Sequence, residues 1–117
     1  MIKTMEQWLT GKRLLIILTI AAAVWFSFTA VMTVLRYRLN YAPAYDFGIF
    51  SQMYYYMDKC LSPLTTCERD GLLSHFAVHL SPVFYVLLPF YKLVPRPETL
   101  LVLQSLVVIS GMVPLCL

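Results

Sequence analysis

Charged residues are scarce in this sequence of 117 residues. Lysine, arginine, aspartate and glutamate make up 13% of it, whereas a soluble globular domain carries about 25%. Hydrophobic residues account for 60% of the chain. The net charge of +3 is small, and no basic stripe interleaved with aromatic residues is present. The composition therefore argues against a soluble domain and against a nucleic-acid partner.

The charge deficit is concentrated in residues 14–35, a run of 22 residues without a single charge. About 20 apolar residues cross the hydrocarbon core of a bilayer, so this run predicts a transmembrane helix in contact with lipid. A cleaved signal peptide is the alternative, with Lys12 and Arg13 as its charged region and residues 21–23 as the small residues before cleavage. Apolar sequence continues without a break to Leu35, and this length favours a retained anchor.

The charges on either side of this run indicate its orientation. Residues 1–13 carry three basic residues against one acidic residue, and basic residues favour the cytoplasmic side. We therefore expect a cytoplasmic leader, an extracytoplasmic loop at residues 36–79, and a multi-pass protein of the cell membrane. Arg36 and Arg38 on the far side of the run weaken this bias.

Residues 80–94 form a second hydrophobic segment of 15 residues. As a helix it would be roughly 22 Å long, shorter than the hydrocarbon core of about 30 Å. Ser81 and Pro82 predict its start, as the N-cap and the first helical residue. Pro89 should kink it. The segment is either a short kinked span or a re-entrant helix buried against other helices.

A turn at residues 95–98 separates this segment from a third one at residues 99–117. Two prolines in the turn prevent the preceding helix from continuing. The chain ends at Leu117 inside an apolar run. The pattern predicts an all-α membrane protein of about three hydrophobic helices, and we expect this chain to be the amino-terminal part of a longer polytopic protein.

Asp46 is the first candidate for chemistry, because it precedes a segment at residues 47–59 that is compatible with a helix. An aspartate at this position is typical of an N-cap. The same carboxylate could act as a general base. The sequence alone leaves both roles open.

Aromatic residues crowd the same segment, with Tyr54, Tyr55 and Tyr56 in succession. A helix of this composition favours an interfacial position with its tyrosines at the depth of the lipid headgroups. A platform for a sugar or a lipid-linked substrate is the alternative.

His75 and His79 are four residues apart, so on a helix they would share one face and could reach one metal ion or one phosphate. No glutamate adjoins His75 as in the helices of zinc proteases, and a third ligand is not evident. A divalent metal therefore stays an open question, with Asp46 as the candidate third ligand. A hydrogen-bonded structural role is the alternative for either histidine.

Cys60 and Cys67 enclose six residues of the loop. An oxidising compartment would permit a disulfide between them, and two free thiols are the alternative. Cys116 lies in the third apolar segment and is expected to pack there. Residues 68–71 are typical of a solvated turn.

Three segments together resemble a bacterial family of polytopic membrane proteins, the domain-of-unknown-function family twenty-seventy-nine. They are residues 45–52 (YDFGIFSQ), residues 75–82 (HFAVHLSP) and residues 100–104 (LLVLQ). The resemblance covers most of the chain from the first helix onward.

That family is similar to the GT-C membrane glycosyltransferases, which transfer a sugar from a polyprenyl-phosphate donor. The resemblance implies that Asp46 is the catalytic residue, either acting as the base toward an acceptor hydroxyl or orienting that hydroxyl. It also implies that His75 and His79 bind substrate near the donor phosphate. Such an enzyme needs more than three helices, so we expect this chain to be inactive without further helices or a partner subunit. A non-catalytic membrane protein, such as an assembly factor or a transporter component, is the alternative.

Overall fold

The computed structural model describes residues 2–41 and 44–111, with side chains for residues 11–41 and 45–111. Cys116 and residues 112–117 of the expected third segment lie outside the described residues. The fold is mostly helical, as the sequence predicts, with a small hairpin in the loop. In chain order its elements are α1 (Ile2–Arg38), α2 (Ala44–Cys60), β1 (Leu64–Thr65), β2 (Leu73–Ser74), a 3-10 turn (His75–Ala77), α3 (Val83–Leu93) and α4 (Pro97–Ser110).

Helix α1 contains the one candidate membrane span within the described residues, the 28 residues Gly11–Arg38. The helix extends beyond the predicted 14–35 at both ends. It includes Gly11 on the amino-terminal side, and no proline or glycine interrupts it between Lys12 and Arg38. Its hydroxyl side chains bond back to their own helix, as from Thr19 Oγ1 to the Leu15 carbonyl at 2.8 Å. Such bonds satisfy polar groups where neither water nor another chain segment is close.

Asn40 ends α1 with a Schellman motif. Its φ of 58° is left-handed, a conformation that asparagine tolerates better than most residues. The Asn40 N–H donates to the Tyr37 carbonyl and the Tyr41 N–H to the Arg36 carbonyl, at 3.0 and 2.8 Å. These bonds satisfy the last carbonyls of the helix and turn the chain away from its axis.

The core lies between α2 and α3. Met53, Tyr54 and Met57 of α2 pack there against Leu88 and Tyr91 of α3. Their spacing along α2 places them on one face of the helix. The tyrosines of α2 are therefore not a uniform interfacial cluster, since Tyr54 is buried while the neighbouring Tyr55 is exposed.

Tyr54 fixes α2 to α3 with its hydroxyl, which donates to the Phe84 carbonyl at 3.1 Å. Burial raises the pKa of Tyr54 to about 12. The phenol therefore keeps its proton throughout the physiological range, and the hydrogen bond is retained there.

Helix α3 is shorter than the predicted segment 80–94. It has 11 residues, or about 16 Å, and cannot cross a hydrocarbon core of about 30 Å. Its N-cap is Pro82, so the expected Ser81 cap is wrong by one residue. Pro89 lies inside it as predicted.

Helix α4 begins at Pro97, two residues before the predicted Thr99, with Arg96 as its extended N-cap. Proline is favoured at the first position of a helix, where its missing N–H has no partner to lose. The predicted turn at residues 95–98 is therefore shorter, because two of its residues already belong to the helix.

Helix α4 packs against α1. Arg38 in the last turn of α1 forms a salt bridge of 3.2 Å with Glu98 in the first turn of α4. Because α4 starts where α1 ends and lies along it, the two helices run in opposite directions.

The antiparallel hairpin of β1 and β2 pairs Leu64 with Ser74 and Thr65 with Leu73. Gln52 of α2 holds it, since its Oε1 accepts from the Thr66 N–H at 2.8 Å and from Thr65 Oγ1 at 3.1 Å. The Cys67 thiol lies 3.3 Å from the same oxygen. One side chain thus connects α2 to the turn of the hairpin.

Replacing Gln52 with alanine should destabilise the fold by about 2 kcal/mol, because it removes several hydrogen bonds and leaves the Thr66 N–H without its partner. Maleimide labelling of Cys67 should accelerate, since the thiol loses its contact with Gln52. Gln52→Glu keeps an acceptor oxygen for the Thr66 N–H and the Thr65 hydroxyl and is the control. Equal labelling rates for Gln52→Ala and the wild type would contradict this role.

Candidate functional site

A polar cavity of about 560 Å³ opens beside the amino-terminal end of α2. Ligand pockets have volumes of about 300–1,000 Å³. Three parts of the chain form it: the start of α2, the turn of the hairpin, and the segment after the 3-10 turn. The lining residues are Tyr45, Asp46, Ile49, Glu68, Arg69, Asp70, Val78 and His79.

Asp46 lies in the first turn of α2, which begins at Ala44. The expectation that Asp46 is the N-cap, with the helix starting at Phe47, is therefore wrong. Its exposed carboxylate faces the polar cavity. A negative charge in the first turn interacts favourably with the helix dipole, so this side chain also contributes to the stability of α2.

Glu68 and His75 form a buried pair. Both carboxylate oxygens of Glu68 lie 2.9 Å from His75 Nδ1, and only 8% and 4% of the two side chains are exposed. A carboxylate only accepts hydrogen bonds, so Nδ1 carries the hydrogen. Residues 68–71 are therefore not simply a solvated turn, because Glu68 turns inward.

His75 and His79 do not share the face of one α-helix, since a 3-10 turn begins at His75 and ends at Ala77. They are nevertheless neighbours, with ring centroids 5.7 Å apart and a hydrogen bond of 2.8 Å from the His79 N–H to the His75 carbonyl. His79 is exposed and lines the cavity, whereas His75 is 3% exposed. Of the two histidines, only His79 exposes its ring to the cavity.

Cys60 and Cys67 are free thiols in this structure. Cys60 lies 3.2 Å from the Tyr56 carbonyl of its own helix, whereas Cys67 contacts Gln52. The disulfide that the sequence left open is therefore not formed here.

A metal site has no support from side-chain geometry in residues 11–41 and 45–111. Within them, no group of three His, Cys, Asp or Glu side chains is arranged to hold a metal ion. In particular, His75 Nδ1 faces Glu68.

A second, apolar cavity of about 300 Å³ lies between α2, α3 and α4. Phe47 and Phe50 of α2 line it, next in sequence to Asp46 and Ile49 of the polar cavity. The first two turns of α2 thus separate a polar cavity from an apolar one.

The long exposed apolar helix α1 has the length and composition of a membrane span. The chain belongs to the family described as Predicted membrane protein (DUF2079), which matches residues 35–116. The match includes the polar cavity, the apolar cavity and the hairpin. No curated protein and no solved structure matches the chain.

Glu68 and Arg69 are cavity residues that sequence reasoning missed. Their charged sequence is typical of a turn, and the strands beside them have two residues each. Strands this short have no recognisable alternation. The only signal available was the presence of both residues between the two motifs of the resemblance.

Proposed function

We propose that this protein contributes the acceptor-activating part of a GT-C-like membrane glycosyltransferase that uses a polyprenyl-phosphate sugar donor. The observation that carries the proposal is that Asp46 and His79 line one polar cavity. Asp46 would accept the proton of the acceptor hydroxyl as its oxygen attacks the sugar, and His79 would bind substrate.

The apolar cavity supports a lipid-linked donor. Phe47, Phe50 and Phe84 line it together with leucines of α3 and α4. A polyprenyl chain could lie there while its sugar reaches around the first turn of α2 into the polar cavity. His75 supports this arrangement indirectly, by joining the hairpin to the segment that carries His79.

The proposed membrane topology is the one that the charges of the sequence predict. The amino terminus of α1 is cytoplasmic, and the polar cavity faces the extracytoplasmic side. Further helices or a partner subunit complete the multi-pass enzyme, because α3 is too short to span the bilayer.

Native membranes that contain the protein are the material for the test. They should transfer a radiolabelled sugar from a polyprenyl-phosphate donor to a membrane acceptor, and membranes from a strain without the gene should not. When the sugar is supplied as a nucleotide sugar and polyprenyl phosphate has been removed, membranes of the two strains should transfer equal amounts of sugar. Equal transfer by the two strains with every polyprenyl-phosphate sugar would refute the glycosyltransferase and favour a non-catalytic membrane component.

A further inference from the structure

The charges of the polar cavity indicate which part of a substrate can bind there. Asp46, Glu68 and Asp70 supply three carboxylates, and Arg69 is the one lysine or arginine among the lining residues. Glu68 is occupied by His75. Asp46 and Asp70 form no ion pair with a described residue, and neither does Arg69. Two uncompensated carboxylates against one guanidinium give the open part of the cavity an acidic balance.

An acidic cavity is a poor site for a phosphate. A phosphate monoester brings a charge of about −1.5 to −2, and the two uncompensated carboxylates at this open surface repel it. Neutral hydroxyl groups suit the same side chains better. Carboxylates accept hydrogen bonds from hydroxyls, and the Arg69 guanidinium can donate to hydroxyl or ring oxygens.

Tyr45 adds an aromatic wall to this cavity. Its side chain is 65% exposed although it lines the cavity, and its ring has no ring contact within the described residues. The face of an aromatic ring carries partial negative charge and attracts the polarised C–H bonds of a neighbouring group. One face of a pyranose ring presents such C–H bonds, while its rim presents hydroxyls.

We propose that the polar cavity binds a neutral pyranose ring, stacked on Tyr45 and hydrogen-bonded by Asp46, Asp70 and Arg69, and that it excludes phosphate. This inference rests on the proposed function, and it specifies which part of the substrate each region holds. The phosphate of the donor would lie outside the polar cavity. Tyr45 and Asp70 become specificity-determining residues for the sugar.

Binding can be measured by saturation-transfer NMR on the protein in native-lipid nanodiscs, free of sugar-based detergents. The probes are methyl β-D-glucopyranoside and methyl α-D-mannopyranoside, with sodium pyrophosphate as the competitor. At least one glycoside should bind, with the strongest transfer to the ring protons of one face. Pyrophosphate should not displace it.

Tyr45→Ala should weaken glycoside binding by about five- to tenfold, the loss expected for one aromatic contact. Tyr45→Phe should bind like the wild type, since stacking does not need the hydroxyl. Tyr41→Ala is the matched control, because Tyr41 is 73% exposed but does not line the cavity. Asp70→Asn should weaken binding without making pyrophosphate a stronger ligand than the sugar.

Displacement of the glycoside by pyrophosphate would overturn the inference, and so would equal binding by Tyr45→Ala and the wild type. Failure of both glycosides to bind would overturn it too. The proposed function fails separately. Glycoside binding that depends on Tyr45, without sugar transfer by native membranes, keeps the sugar site and rejects the enzyme. Sugar transfer with unchanged binding in Tyr45→Ala keeps the enzyme and rejects this assignment.

Discussion

Asp46→Asn should lower the rate of sugar transfer by about 10²–10⁴-fold, the usual contribution of a general base. The amide has nearly the shape of the carboxylate but cannot accept the proton of the acceptor hydroxyl. The loss should appear in kcat and not in the KM for the acceptor, because the substitution affects proton transfer. Radiolabelled transfer by membranes with matched protein levels is the measurement.

Folding of this variant should be nearly intact. Asp46 is exposed in the first turn of α2, where loss of its charge costs about 0.3–1 kcal/mol of interaction with the helix dipole. Asp58→Asn is the control, since it removes a carboxylate from the same helix outside the polar cavity, together with the ion pair to Lys59. Transfer within about threefold of the wild type in Asp46→Asn would reduce Asp46 to a helix-stabilising residue.

Glu68→Ala and His75→Ala should each destabilise the protein by about 3–5 kcal/mol, because each leaves a buried polar partner without its hydrogen bond. The double variant should lose less than the sum of the two, and a double-mutant cycle on unfolding free energies gives the coupling. Denaturant unfolding followed by circular dichroism in nanodiscs is the measurement.

The salt bridge of Arg38 and Glu98 provides the contrast. Its Arg38 side chain is 62% exposed, and an exposed pair contributes about 0–1 kcal/mol. Glu98→Gln should therefore change the unfolding free energy far less than Glu68→Gln, although each replaces a hydrogen-bonded carboxylate with an amide. Equal effects of the two substitutions would show that burial of the Glu68–His75 pair does not determine its strength.

The helices were predictable because their signals are local. An uncharged run of 22 residues identifies the core of α1. The hydrophobic segment 80–94, with only 15 residues, predicts a short α3, which continues through Pro89 without a break. The predicted helix boundaries were wrong where a residue is equally compatible with the turn and with the end of the helix. Proline follows a helix as readily as it starts one, so Pro97 was placed in the turn although it is the first residue of α4.

The candidate site was predictable only in part, since its walls come from segments far apart in sequence. Asp46 and His79 were predicted as candidate site residues, and a cavity shared by the two was a hypothesis. Both residues line the polar cavity. The inward direction of Glu68 depends on the 3-10 turn that places His75 Nδ1 opposite it. The burial of His75 against Glu68 follows from the same packing, and the spacing of residues along the sequence does not reveal it.

The contact between Arg38 and Glu98 brings the end of α1 beside the start of α4. The polar cavity and the hairpin belong to the stretch of chain between these two residues. In the topology proposed above, that stretch leaves the membrane and returns to it at one surface. The polar cavity would then be open to a substrate from that side alone.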